Sequence, residues 1–311
     1  MKPALSSHLL ARVVFAGALL ASGCSAASGA APDAVPAGQY VALGDSYAAA
    51  PGISGQTGVP AGCGRSSASY PLVAARRLGL DSGQVHDESC AGATIADLTG
   101  PQTTSDGTNP AQLAALSDAT TLVTLGIGGN DMHWSAVLTR CAELDLIPAL
   151  ISSSAAQEAT PCVAYYTAGG ADRIQQSIQA VARPLASTLA EIKRRAPRAR
   201  VYVVGYPDLM PASGNAGCAR TFGLTGGDMA FLNAEEQRLN STLRQQADAA
   251  GAAFVDTYTP SIGHDACADP GQRWVEPWLP ASPADPMHPN AHGEQGMADA
   301  VISAIGAERS S

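Results

Sequence analysis

The chain predicts an α/β fold, a mainly parallel sheet covered by helices on both faces. Three observations carry that reading. Short apolar, β-branched runs recur along the chain, and helical patterns stand between them. Strands alternating with helices need crossover connections, which favour parallel pairing. With 311 residues, 46% hydrophobic and 14% charged, the chain can also bury a sizeable core and is unlike a disordered tail.

The elements follow in order. Lys2 and Arg12 accompany an apolar run, Val13 to Ala21, that ends in small residues at Ser22-Gly23-Cys24, the pattern of a secretory signal over residues 1–23. Nine apolar residues cover about 13 Å as a helix, less than half of a bilayer's hydrocarbon core, so no membrane span is expected there. Ala21-Ser22-Gly23-Cys24 resembles the lipobox of bacterial lipoproteins, in which the cysteine is lipidated, although Leu20 stands one position early. Cleavage after Ser28-Gly29-Ala30 is the alternative and would discard Cys24. Residues 24–38 are almost entirely Ala, Ser, Gly and Pro, a flexible tether, and the folded domain is expected over residues 39–311.

Within that domain Tyr40-Leu43, a weaker run at Val85-Ser89, Thr121-Ile127, Val201-Gly205 and Ala253-Asp256 read as strands. Helices are expected over Tyr70-Leu78, Ala111-Leu116, Ala171-Arg195, Asp228-Ala250 and from Asn290 through Ile305. Pro51-Ser69, His133-Gly170, Tyr206-Gly227 and Thr259-Pro286 fit no element well, and each carries at least one cysteine. Long loops of that kind are functional or are insertions.

Eighteen Lys and Arg against 27 Asp and Glu leave a net charge of −9. Without a basic cluster, binding to nucleic acid or to an anionic membrane surface is not expected, because phosphate recognition needs cations to displace counterions. Apart from Cys24, six cysteines remain: Cys63, Cys90, Cys141, Cys162, Cys218 and Cys267. An even number in an exported chain implies disulfides, and their order alone does not choose among the pairings. No Cys-x-x-Cys pair occurs, so a zinc site is disfavoured and no metal is expected.

Gly44-Asp45-Ser46 follows the first strand, placing Ser46 in a turn at the carboxyl edge of the sheet, where open α/β sheets bind ligands. Alone, such a tripeptide is as readily a helix cap. Near the other end stands Asp285-Pro286-Met287-His288. A carboxylate three residues before an imidazole can accept its Nδ1 proton and leave Nε2 free to take a proton from Ser46, the division of labour in a Ser-His-Asp hydrolase. Donors for an oxyanion are available at Gly92, whose missing Cβ permits close approach of its N–H, and at the Asn130 amide, which ends the strongest strand. Each of these pieces is an ordinary strand-end turn by itself.

Together Gly44-Asp45-Ser46, Gly92, Gly129-Asn130-Asp131 and Asp285-x-x-His288, in that order, resemble the SGNH hydrolases, also called GDSL lipases and esterases, over residues 40 to 305. The resemblance implies a three-layer αβα sandwich around a five-stranded parallel sheet (flavodoxin-like). It implies Ser46 as nucleophile, His288 as general base and acid, Asp285 orienting it, and an oxyanion hole from the Ser46 and Gly92 N–H groups and the Asn130 side chain. The cysteines resemble those of the exported three-disulfide branch, which implies Cys63–Cys90, Cys141–Cys162 and Cys218–Cys267. Tyr47 departs from the name-giving Leu, and some members of this branch replace the triad acid by a backbone carbonyl, which bears on Asp285.

The implied activity is hydrolysis of carboxylic esters of lipids or short-to-medium acyl groups, with no cofactor and an ester as the partner. An acetyl-polysaccharide esterase is the alternative, in which Trp274, Trp278, Tyr165 and Tyr166 would stack on sugars. A surface lipoprotein that only binds its ligand is the alternative of another class. The protein is expected to be exported, as a cell-surface lipoprotein or an extracellular protein, monomeric, and held to a membrane only through lipid at Cys24. Ala48 takes the place of the last glycine in Gly-x-Ser-x-Gly, which disfavours the common α/β-hydrolase fold, and no Walker, His-Glu-x-x-His or EF-hand pattern appears. His292 reads as a surface or helix-start residue, since Pro289 interrupts any helix shared with His288. His133 and Trp134 read as rim packing beside the site.

Overall fold

The computed structural model describes residues 38–307 apart from 152 and 215. The expected signal, Cys24, the alternative cleavage site and all of the tether but Gly38 lie outside those residues. The centre is a parallel sheet of β1 (Gln39–Gly44), β2 (Val85–Asp87), β3 (Thr120–Gly126), β4 (Arg200–Val204) and β5 (Ala253–Val255), in the spatial order β2-β1-β3-β4-β5. Six helices frame it: α1 (Ser46–Ala49), α2 (Tyr70–Arg77), α3 (Trp134–Leu150), α4 (Arg173–Arg195), α5 (Gly226–Ala249) and α6 (Ala291–Ala307).

The alternation of β1 divides the core in two. Val41 and Leu43 share one cluster with Ile178, Val181 and Leu185 of α4 and Leu239 and Leu243 of α5. Tyr40 and Ala42 share the other with Val73 of α2 and Met297 and Val301 of α6. The result is the three-layer αβα sandwich, with β3 buried at every residue as befits a central parallel strand. α4 shows why its sequence folds as a helix: Ile174, Ile178, Val181, Leu185, Leu189 and Ile192 form one buried stripe, the Asp172 carboxylate caps Ile174 N and Gln175 N, and Lys193, Arg194 and Arg195 close the last turn. Each of those apolar side chains contributes about 1.5–3 kcal/mol by leaving water.

The register sets the site. Gly44 of β1 pairs with Gly126 of β3, so the loops after both strands leave the sheet at one level. Cys90 N–H donates to Gly44 O (3.0 Å), which brings the loop after β2 to the same edge. A Cβ on Gly44 would stand 2.4 Å from Gly126 O; only glycine lets the two strand ends approach this closely. The Gln112 side chain closes the ends, accepting from Gly44 N (2.8 Å) and donating to Gly44 O (2.9 Å).

Several segments differ from expectation. α3 lies in a stretch that shows no helical period in sequence, because apolar residues occupy its outer as well as its inner side: Val137 and Leu138 are buried, whereas Leu146, Ile147 and Leu150 are exposed. The expected helix at 111–116 is a 3-10 helix, Gln112–Ala115. A short hairpin of Gln102–Thr104 with Gly107–Asn109 and helices at Pro161–Tyr166 and Ala216–Phe222 were not read from the sequence, each being too brief for a periodic signal. The disulfides join Cys63 to Cys90, Cys141 to Cys162 and Cys218 to Cys267, the pairing the resemblance implies. Among the described residues no helix is long and apolar enough to cross a membrane, and no cluster of three or more His, Cys, Asp or Glu is placed to hold a metal ion.

Candidate active site

Ser46 begins α1 directly after β1, with the Asp45 side chain capping that turn by accepting from Tyr47 N (3.0 Å). His288 arrives from the loop before α6, and its Nε2 lies 2.7 Å from Ser46 Oγ across 242 positions of sequence. Its Nδ1 lies 2.7 Å from the Pro286 carbonyl. A carbonyl only accepts, so Nδ1 carries the proton and Nε2 is the acceptor facing Ser46. Burial disfavours the imidazolium and lowers the His288 pKa below its ordinary 6.5, outweighing the Pro286 hydrogen bond and the nearby Asp285 charge, which act the other way.

The expectation that the Asp285 carboxylate holds Nδ1 is corrected here. Asp285 is exposed, its N–H donates to Pro51 O (3.1 Å), and its carboxylate lies against Gly52. Met287 adopts a left-handed φ of 63° that turns the chain so that the Pro286 carbonyl, not the Asp285 side chain, faces the ring. Two contacts hold this turn. Tyr47 Oη donates to Met287 O (2.6 Å), with its ring 5.0 Å from the imidazole. Glu276 exchanges backbone hydrogen bonds with Met287 and His288. The Glu276 carboxylate accepts from Asn290 Nδ2 (2.7 Å) and Ala281 N (2.8 Å). Burial alone would raise its pKa, but those hydrogen bonds and Arg273 outweigh it and lower the value, keeping the group ionised.

The donors named for an oxyanion stand on neighbouring loops. Asn130 Nδ2 donates one hydrogen to Ala93 O (2.9 Å), which ties the loop after β3 to the Gly92 loop, and its second hydrogen has no acceptor among the described residues. Gly92 has φ of 79°, a left-handed conformation that admits glycine at no cost. Among the described residues neither Ser46 N–H nor Gly92 N–H donates to a protein acceptor. Ser46, Asn130 and His288 line one cleft, whose other walls include Trp134, Leu138, Leu239 and Trp278; Gly92 is outside that lining.

Along the cleft runs a chain that sequence reasoning did not find: Gly129 N–H donates to Tyr206 Oη (2.8 Å), and Tyr206 Oη–H donates to Asp45. Burial, partly offset by the hydrogen bonds from Tyr206 and from Tyr47 N–H, pushes the Asp45 carboxyl up to about 7. Tyr206 and Glu276 carry no motif, and only the fold brings them to Ser46 and His288. Trp134 lines the cleft whereas His133 is exposed at the start of α3, and His292 is exposed at the start of α6. Of the aromatic residues expected near substrate, Trp278 reaches the cleft, its Nε1 donating to Phe222 O (3.0 Å). Trp274 stacks on His264, and Tyr165 and Tyr166 pack on each other under Arg173.

Comparison with known proteins agrees with this arrangement. The family description "GDSL-like Lipase/Acylhydrolase" matches residues 42–295. Lipase 2 of Streptomyces coelicolor is 36% identical over 307 residues, covering 98% of this chain and 99% of the relative. The extracellular lipase of Streptomyces rimosus superposes with a TM-score of 0.68 at 27% identity, covering 86% of this chain and 100% of that one. Phospholipase A1 of Streptomyces albidoflavus NA297 gives 0.67 at 27% identity, with 86% and 99% covered. A serine and histidine in contact at the sheet's carboxyl edge, and a match along nearly the whole folded part, lead to one conclusion: the chain belongs to the GDSL-like lipase/acylhydrolase family of ester hydrolases.

Proposed function

We propose that this hydrolase cleaves lipid or short-to-medium acyl esters through an acyl-enzyme on Ser46, with His288 as its base and acid. The observation that carries the reading is the 2.7 Å contact of Ser46 Oγ with His288 Nε2 inside a cleft that also presents Asn130. Ser46 Oγ attacks the acyl carbon while Nε2 takes its proton. The bond to the alcohol oxygen then breaks as Nε2 returns that proton to the leaving group. Water, deprotonated by Nε2, attacks the acyl-enzyme and releases the acid and Ser46. The Pro286 carbonyl holds the imidazolium in place, and the Ser46 N–H, Gly92 N–H and Asn130 amide take the developing negative charge. No cofactor enters these steps.

The apolar walls of the cleft support acyl esters as substrates, as do the names of the relatives. An acetyl-polysaccharide substrate draws less support, since Trp274, Tyr165 and Tyr166 are engaged with other side chains. The signal pattern and three disulfides support export, and Ala21-Ser22-Gly23-Cys24 supports Cys24 as a lipidation site; mass spectrometry of the mature N-terminus distinguishes lipidated Cys24 from cleavage after Ala30.

A fluorophosphonate probe and an aryl butyrate test the mechanism. The wild-type protein takes the label and turns over the ester, whereas Ser46→Ala takes none and loses on the order of 10⁴ to 10⁶ in kcat. A folded Ser46→Ala protein that keeps most of its turnover refutes the assignment, and a wild type inert to both reagents is a binder of ligands only.

A further inference from the structure

A buried carboxyl that the steps above do not use stands in the wall of the cleft. Glu236 stands on α5 three residues before Leu239, is 3% exposed, and lines the same cleft as Ser46 and His288. Its Oε2 accepts from Leu209 N (3.2 Å). Its Oε1 has no hydrogen-bond partner among the described residues, yet unlike Glu294 Oε1 it is not sealed in the core. The cleft is the open space that Glu236 borders.

The state of this carboxyl follows from its surroundings. Among the described residues no Lys or Arg lines the cleft to balance a negative charge. Burial, and then the neighbouring Asp208, raise its pKa well above the usual carboxylate range, with Asp265 adding to the effect. Leu209 N–H donates to Oε2 and so marks it as the carbonyl oxygen, which leaves the proton on Oε1. The wall thus carries an O–H donor that no acceptor among the described residues receives. An unmet buried donor is costly, and a ligand oxygen placed against it removes that cost.

We propose that Glu236 Oε1 donates a hydrogen bond to a hydroxyl oxygen on the alcohol part of the substrate, so that the cleft selects esters of polyols that keep free hydroxyls over esters of simple alcohols. The acyl chains of common esters are plain hydrocarbon, whereas glycerol and sugar alcohols carry the spare oxygens. Glu236 is on this reading a specificity-determining residue of the reaction proposed above, on which the inference rests.

Methyl butyrate, glycerol 1-monobutyrate and 6-O-butyryl glucose, which share one acyl group, provide the test. In the wild type, kcat/KM is expected to be at least tenfold higher for one of the two polyol esters than for methyl butyrate, and which of the two is preferred tells a partial glyceride from an acylated sugar. The polyol-to-methyl ratio is expected to fall at least tenfold in Glu236→Leu and to stay within threefold in Glu236→Gln, whose amide still donates. A wild-type ratio near one overturns the proposal without any variant, and so does a Glu236→Leu protein with an unchanged ratio. Turnover of p-nitrophenyl butyrate by the wild type reports on the esterase reading separately: activity there with no polyol preference refutes the role of Glu236 alone.

Discussion

Replacing Asp285 by alanine decides which group holds the imidazole of His288. Where a buried carboxylate accepts Nδ1–H, as in a Ser-His-Asp triad, its loss costs about 10⁴ in kcat. In this protein the Nδ1 partner is the Pro286 carbonyl at 2.7 Å, which no side-chain substitution removes, and Asp285 is exposed. What Asp285→Ala removes is one solvated charge near the imidazolium. Exposed ion pairs contribute about 0.2–1 kcal/mol, which at about 1.4 kcal/mol per tenfold is a factor of at most about five in rate. The assay is kcat/KM for p-nitrophenyl butyrate across pH 5 to 8, with His288→Ala as the reference for loss of the base. Asp285→Ala should stay within about fivefold of wild type. Its rising pH limb should move down, because the missing charge favoured the protonated ring. A fall of 10³ or more in a variant that melts like the wild type refutes the carbonyl assignment and restores Asp285 as the orienting acid.

Further outcomes follow from the same geometry. Tyr47→Phe removes the hydrogen bond to Met287 O, worth about 1 kcal/mol, and should lower kcat several-fold with KM nearly unchanged, since the contact positions the base and not the substrate. Gln112→Leu strands the buried N–H of Gly44, whose carbonyl keeps its bond from Cys90 N–H, and should cost about 1–3 kcal/mol in chemical denaturation, with a lowered Tm. Because burial lowers the His288 pKa, the neutral base forms earlier on raising the pH, and kcat/KM should rise through a midpoint below 6.5 and then level off. Stability should run the other way. Asp45, Asp145 and Asp208 each have a pKa raised to about 7 by burial, so their contribution is full below the unfolded value near 3.8 and is lost as pH rises through about 7. Thermal melting should therefore give a lower Tm at pH 8 than at pH 5.

Much of the fold was legible because its signals are local. β1, β3 and β4 are runs of β-branched and apolar residues, and α4 shows a 3.6-residue stripe that no neighbour had to impose. α3 was not legible, since Leu146, Ile147 and Leu150 put apolar side chains on its solvent face and erase the period. The segment at Gln112–Ala115 read as helical, and only the structure shows it to be a 3-10 helix, because composition does not distinguish helix types over four residues. At the site, Ser46, Asn130 and His288 were found because each sits in a short motif after a predicted element. Tyr206, Glu276 and Glu236 were not, because a Tyr after a strand, or a Glu in a loop or on a helix, carries no mark of what it will meet.

The amino-acid sequence by itself determined the α/β class, the order of the elements and the residue types available for acyl transfer, because periodicity and strand-end turns are properties of neighbouring residues. The tertiary structure alone decided which oxygen faces His288 Nδ1, which aromatic residues reach the cleft, and that a buried Glu236 opens onto it. Those outcomes depend on distances between parts of the chain separated by tens to hundreds of residues. Such distances are fixed by sheet register and loop geometry, here by the Gly44–Gly126 pairing and the left-handed turn at Met287, and not by any local pattern.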